Sequence, residues 1–244
     1  YLPKDIAQSK GETRLEKFLA YMKRHSDVNI LDLRSTLLNA KQHQQVYFST
    51  DTHWNGYGLF LSYQKLIESL RPCLPELSDP MPFNPEDFDI RPHVGDLIPL
   101  GGLDEKDYPE LKQVFRSHQK YSFEQTQNRE TWIVNALIRI EMQGYQRVSM
   151  HTSNPENNLR MVMFHDSFMA DTPKLLARHF GDIYNLWLPA EYDLLKTAVE
   201  KYHPDVVIDE IAERMLSKDP PKNHPKWDAA RRRYAEKMNH VAEE

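Results

Sequence analysis

Arg160-Met161-Val162-Met163-Phe164-His165-Asp166-Ser167-Phe168 runs from an apolar segment straight into a helical pattern. The uninterrupted Met, Val and Phe side chains of 161–164 suit a strand covered on both faces, as strands of parallel sheets are. Phe168 to Phe180 has helical spacing and Gly181 ends it. Ile183 to Leu188 reads as the next strand, Glu191 to Tyr202 as a helix, Val206 to Ile208 as a strand and Glu210 to Leu216 as a closing helix. Arg147 to His151 alternates as a strand does, and Asn154 to Asn158 is a turn. Strand and helix alternating from Arg147 onward predicts parallel β-α-β units, hence an α/β fold with a mostly parallel sheet.

Upstream, Ser9 and Glu12 have capping-box spacing, and Leu15, Phe18, Leu19 and Met22 form a helical stripe after them. Asn29 to Leu33 and Val46 to Phe48 are read as short strands, with a helical turn over Leu37, Leu38 and Ala40 between them. Asn55 and Gly56 open a helix to about Leu70, its buried side made of Leu59, Phe60, Tyr63, Leu66, Ile67 and Leu70. Seven prolines between Pro72 and Pro99 forbid a long helix or a central strand there, so 72–112 reads as a long surface excursion bordering a site. Gln113 to His118 is a strand candidate and Arg129 to Met142 a helix candidate, with Trp132, Ile133, Ala136, Leu137 and Ile140 inward. From Ser217 the chain is polar, and Arg231-Arg232-Arg233 suits a solvated helix or tail.

The 244 residues suffice for one large domain or two small ones. A net charge of −5 argues against binding nucleic acid, which needs a basic face. Cys73 is the only cysteine, which excludes an internal disulfide and a multi-cysteine metal site. No apolar run approaches the roughly 20 residues of a membrane span. No signal peptide is seen, though the chain begins at Tyr1 rather than Met, so it reads as a mature or trimmed product.

Two stretches carry chemistry. In Ser49-Thr50-Asp51-Thr52-His53-Trp54-Asn55, an extended backbone would put Asp51 and His53 on one face, carboxylate beside imidazole. In the second, Ser167 stands where strand gives way to helix, either as an N-cap or as a hydroxyl exposed beside backbone N–H groups. His53 is either packed and hydrogen-bonded or a general base, and Asn55 suits a helix cap. Asp166 is a second acid or a helix-dipole partner. Trp54, Tyr57 and Trp187 are core aromatics or sugar-stacking surfaces. Gly95-Asp96-Leu97 is a turn at the mouth of a site or a plain loop. A metal at Asp51 and His53 would need a third ligand, and none of His43, His93, His118, His151 and His165 has ligand spacing.

Thr50-Asp51-Thr52-His53-Trp54-Asn55, followed over a hundred residues later by Asp166-Ser167-Phe168, resembles the SGNH-hydrolase-like alginate O-acetyltransferase family of the AlgX and AlgJ type. Pro204-Asp205-Val206-Val207-Ile208-Asp209-Glu210 and Glu213-Arg214 resemble that family's last strand and helix. The resemblance implies a flavodoxin-like, SGNH hydrolase-like three-layer α/β/α sandwich over 1–216, with 72–146 an irregular or helical insertion and 217–244 a charged tail. It implies Ser167 as nucleophile, His53 as base and Asp51 as orienting acid, in the circularly permuted order of the alginate type. Trp54, Asn55, Tyr57, Asp96 and His165 are the candidate substrate-binding residues; no cofactor or metal is implied. Many members have Gly where this chain has His165, a side chain expected to narrow the turn or alter the oxyanion hole. The implied activity is O-acetylation of an exported or cell-surface polysaccharide, in the periplasm or otherwise outside the cytoplasm, with acetyl relayed by a membrane-bound O-acyltransferase. A carbohydrate acetylesterase and a non-catalytic carbohydrate-binding relative are the rival readings.

Overall fold

The structure, a computed structural model, describes residues 11–116, 122–128, 130, 133 and 149–217. They fall into two compact units, one spanning Leu31–Glu210 and one joining residues from 11–30 with residues from 211–217.

In the smaller unit, helix α1 spans Arg14–His25. Its capping box is Thr13 with Glu16, not Ser9 with Glu12: the Thr13 hydroxyl accepts from the Glu16 N–H (3.2 Å) and the Glu16 carboxylate from the Thr13 N–H (2.6 Å). Leu15, Phe18, Leu19 and Met22 are its half-buried stripe. The closing helix expected over Glu210–Leu216 is only a 3₁₀ turn, Glu213–Ser217, packed on α1.

The larger unit opens without the expected strand at Asn29–Leu33; the Asp32 carboxylate instead accepts the Arg34 N–H (3.0 Å) and turns the chain into α2, Arg34–Ala40. The expected strand at Val46–Phe48 reduces to one bridge, Tyr47 to Trp54. Helix α3 spans Gly56–Leu70, with Asn55 as its cap. Phe60, Tyr63, Leu66 and Ile67 face the core, at the spacing that stacks side chains on one helix side.

The proline-rich excursion is more ordered than expected. It forms an antiparallel ribbon of β1, Phe88–His93, and β2, Glu110–Phe115, with the four-residue helix α4, Leu97–Leu100, between them. Pro92 fits because a two-stranded ribbon leaves each strand a free edge, where a missing N–H costs no ladder bond. The Phe88 and Phe115 rings anchor the ribbon on Phe60, at 5.7 and 6.3 Å between centroids.

The main sheet has five strands: β3, Glu124–Gln127; β4, Met150–Ser153; β5, Arg160–Phe164; β6, Asp182–Leu186; and β7, Val206–Asp209. Their order is β3-β4-β6-β5-β7. The pairings β6–β5 and β5–β7 are parallel, while β4 runs antiparallel to both of its neighbours, β3 and β6, so the sheet is mixed rather than mostly parallel. The reason is connection length. Residues 154–159 are too few for the dozen or so that a parallel crossover needs, so the chain must reverse between β4 and β5.

The expected helix over Phe168–Phe180 is broken into a 3₁₀ turn, Ser167–Met169, and the short helix α5, Pro173–Leu176. Pro173 has no N–H with which to continue a helix, and its fixed φ suits a new start. Helix α6, Tyr192–Tyr202, links β6 to β7. On β5, Met161 and Met163 pack with α3 and α5, while Val162 and Phe164 pack with α6. All four are fully buried, each adding roughly 1.5–3 kcal/mol of apolar burial. β5 therefore has helices on both faces. Of the helix expected at Arg129–Met142, only Glu130 and the buried Ile133 are described; the rest of it, Arg147 and the triple arginine lie outside the described residues.

Candidate active site

β5 ends between β6 and β7, and the chain leaves it toward β6 while β7 lies on its other side. Such a reversal opens a crevice at the carboxyl ends of the strands. Ser167 stands there. Asp166 is extended and caps the turn, its carboxylate accepting the Phe168 N–H (2.9 Å). The Asp166 N–H in turn donates to Glu210 at the end of β7 (3.1 Å). Burial, reinforced by the nearby Asp166 carboxylate, pushes the Glu210 carboxyl up to about 8. Asp166 thus serves as a cap, and Ser167 opens the turn.

The second half of the site is the loop before α3, held by two acids from the excursion. Glu110 accepts the N–H groups of Ser49 (2.6 Å) and Thr50 (3.0 Å) and also the Thr50 hydroxyl. Asp96 accepts the N–H (2.9 Å) and hydroxyl (2.6 Å) of Thr52. Gly95 lies so close that a Cβ there would sit 1.9 Å from the Thr50 carbonyl oxygen. Gly95→Ala is therefore expected to push the loop aside, at roughly 1–3 kcal/mol. A melting temperature and activity equal to wild type would show that the contact is not needed.

Asp51 and His53 do meet, but through a turn rather than an extended segment. The Asp51 Oδ1 accepts both the His53 backbone N–H (3.0 Å) and His53 Nδ1 (2.6 Å). Burial alone would raise the Asp51 carboxyl, yet the ring and backbone hydrogen bonds of His53, joined by one from His93, hold it below the ordinary carboxylate range. An ionised carboxylate only accepts, so Nδ1 carries the proton and a neutral His53 presents Nε2 as an acceptor. The Ser167 Oγ lies 2.6 Å from that Nε2 and donates to it. Alcohol, imidazole and carboxylate are thus in series, with the tautomer that lets a hydroxyl lose its proton.

These groups open into a cavity of about 250 Å³, with Phe48, Phe115 and Phe168 among its apolar walls and Lys112 and Lys174 among its polar ones. Lys174 pairs with Asp171 (3.1 Å). The family model described as SGNH hydrolase-like domain, acetyltransferase AlgX matches residues 1–134. The chain belongs to the AlgX family. Among curated proteins it is 24% identical over 216 residues to the probable alginate O-acetylase AlgJ of Pseudomonas syringae pv. tomato, covering 86% of this chain and 53% of that one. The chain thus spans about half the length of that relative. Solved structures with the same fold include a DHHW family protein from Eubacterium siraeum (TM-score 0.61, 12% identity, 90% of this chain and 75% of that one). PatB1 of Bacillus cereus (0.58, 18%, 89% and 79%) is another. The O-acetyltransferase domain of Pseudomonas putida AlgJ (0.56, 21%, 94% and 75%) is a third.

In this AlgX-family domain the other candidate residues part company. Trp54 and Asn55 line the cavity, but both are committed to the scaffold. The Trp54 indole N–H donates to the Phe168 carbonyl (2.9 Å), and the Asn55 amide caps Gly58 and donates to Gln45. Tyr57 is not in the lining and packs edge-on against Phe83 at 4.8 Å. Asp96 is also outside the lining and acts as the brace on Thr52. His165 is a correction. It is 3% exposed, outside the cavity lining, and its Nδ1 donates to the Asp166 carbonyl (2.5 Å). Burial pulls its pKa down to about 4, so the ring is neutral and does not narrow the pocket. Trp187 lies beside that buried ring, at 5.4 Å between centroids, not in the cavity.

Asp51, His53 and Asp96 each bring a donor atom within 4.8 Å of the others. Each is already engaged, Asp51 with both histidines, His53 with Ser167 and Asp96 with Thr52, so protons satisfy the cluster. The sequence does not mark His93 and Glu110 as supports of this loop, and His93 enters its reading only as a histidine without metal-ligand spacing. They reach the motif loop only through the pairing of β1 with β2, where they face each other, and no local pattern announces that register. Among the described residues, no helix is long and apolar enough to cross a membrane.

Proposed function

We propose that this domain transfers acetyl groups onto hydroxyls of an exported polysaccharide through an acetyl-Ser167 intermediate. The observation that carries the reading is the unbroken Ser167–His53–Asp51 series at the floor of a cavity. His53 takes the Ser167 proton as Oγ attacks the acetyl carbonyl, and Asp51 balances the imidazolium that forms. In this reading the Ser167 N–H steadies the developing oxyanion. The leaving group takes the proton from His53, and acetyl stays on Oγ. A sugar hydroxyl then gives its proton to His53, attacks the ester, and returns Ser167 to its starting form.

Membership of the AlgX family and the names of the AlgJ relatives, an alginate O-acetylase and an O-acetyltransferase domain, support polysaccharide as acceptor. Lys112 on the cavity wall suits a polymer that carries carboxylates. A site outside the cytoplasm and a donor relayed by a membrane-bound acyltransferase complete the proposal.

Incubation with 4-nitrophenyl acetate, digestion and mass spectrometry test it. An acetylated Ser167 peptide that disappears when an anionic oligosaccharide is added, with acetyl recovered on the sugar, is the expected result. Acetate released to water with none on the sugar would make the domain an esterase, and an unmodified Ser167 would end the acyl-enzyme reading.

A further inference from the structure

Asp51 has a second imidazole on it. His93, the last residue of β1, places Nε2 3.0 Å from Asp51 Oδ2, the oxygen that His53 leaves unused. Its ring stacks on Phe48 at 4.0 Å between centroids, and its side chain is 15% exposed. Because the carboxylate only accepts, His93 Nε2 must carry a proton. We infer that His93 is a positioning residue of the acyl-transfer site, an N–H strut that fixes the Asp51 carboxylate from the side opposite His53 and so sets the alignment of the base. The inference rests on the function proposed above.

Two consequences separate this role from simple packing. Asp51 is 9% exposed, so without His93 its Oδ2 would be a nearly buried charged acceptor lacking a partner, free to swing away from the plane His53 requires. A carboxylate that has swung away also balances the imidazolium of His53 less well. The neighbouring charges do not substitute. Glu110 on β2 is committed to Ser49 and Thr50, and Asp96 to Thr52, although it lies 3.9 Å from His53 Nδ1. Arg91 on β1 pairs with Asp89 (3.2 Å). Lys112 on β2, and Lys174 with Asp171 beside α5, border the same cavity as cations and acid of the wall.

The test compares wild type with His93→Phe, which keeps an aromatic ring for Phe48, and His93→Gln, which keeps an N–H donor near the Nε2 position. The rate of Ser167 acetylation by 4-nitrophenyl acetate is measured against pH, with melting temperatures as the check on folding. His93→Phe is expected to acetylate roughly ten- to a hundredfold more slowly, with the acid limb of its profile moved to lower pH, and His93→Gln to recover most of the rate. In ¹H–¹⁵N spectra of the His53 ring, the Nδ1 proton should be sharp at low field in wild type and His93→Gln but broadened by exchange in His93→Phe. A Phe variant with the wild-type rate and acid limb would overturn the inference. So would a folded Gln variant as slow as Phe. If wild type itself never acetylates Ser167, the proposed function fails, and the ring spectra alone decide the role of His93.

Discussion

Ser167→Ala is expected to keep the wild-type melting temperature and to lose acetyl transfer by ~10⁴-fold or more, to the residual level that binding alone provides. Fold and activity separate here because Asp166, not Ser167, holds the turn, through its bonds to Phe168 and Glu210. Removing the hydroxyl deletes the group that attacks and leaves His53 with nothing to deprotonate. The sharper form of the expectation is non-additivity. Ser167 and His53 act on one proton, 2.6 Å apart, so Ser167→Ala combined with His53→Ala should be no slower than Ser167→Ala alone. Asp51→Asn should also be severely impaired, because an amide facing Nδ1 can favour the tautomer with its proton on the wrong nitrogen. Initial rates with an oligosaccharide acceptor, together with melting curves, decide it. A Ser167→Ala protein that retains a large share of the rate, or a double variant that multiplies the two losses, would mean the series does not act as a unit.

The second large effect concerns stability. Glu210 has an ordinary carboxyl value of 4.5, raised in the folded protein to about 8 by burial first and by Asp166 next. The folded state therefore favours the protonated acid. This contribution is fully present below about pH 4.5 and is lost as pH rises through about 8. The shift sets an upper limit of several kcal/mol; partial exposure of the side chain reduces the expected loss to on the order of 2–3 kcal/mol. Glu210→Gln mimics the protonated acid and keeps an oxygen to accept the Asp166 N–H. It is expected to be more stable than wild type at pH 7–8, with the gain vanishing toward pH 4. Chemical denaturation across that range reads it directly. Curves for the two proteins that stay parallel would show that the fold leaves the Glu210 carboxyl at its ordinary value.

What could be read in the sequence, and what could not, follows the distance over which each feature is decided. β5 is legible because its apolar run needs only itself, and the Asn55 cap because its partner, Gly58, is three residues away. The meeting of Asp51, His53 and Ser167 was legible only through a family pattern; the local argument for it, an extended strand, was mistaken, since an Asx-type turn makes the contact. The mixed sheet was missed although its cause, the short link 154–159, is visible in the sequence once β4 and β5 are placed. His165 stood next to Ser167 in the chain, but adjacency does not give direction, and its ring goes into the core. His93 and Glu110 lie far along the chain from the loop they hold, in a segment whose prolines argued for irregularity. Their place follows from strand register, which no single stretch encodes.

That ribbon has a practical consequence. Within a few residues of each other it carries His93 and Glu110, which steady the base loop, and Lys112, which faces the cavity. On the acetyl transfer proposed above, exchanging it for a relative's segment to alter which sugars enter would also exchange the supports beneath His53. Acceptor choice and turnover would then be mechanically linked, and engineering one would mean rebuilding the other.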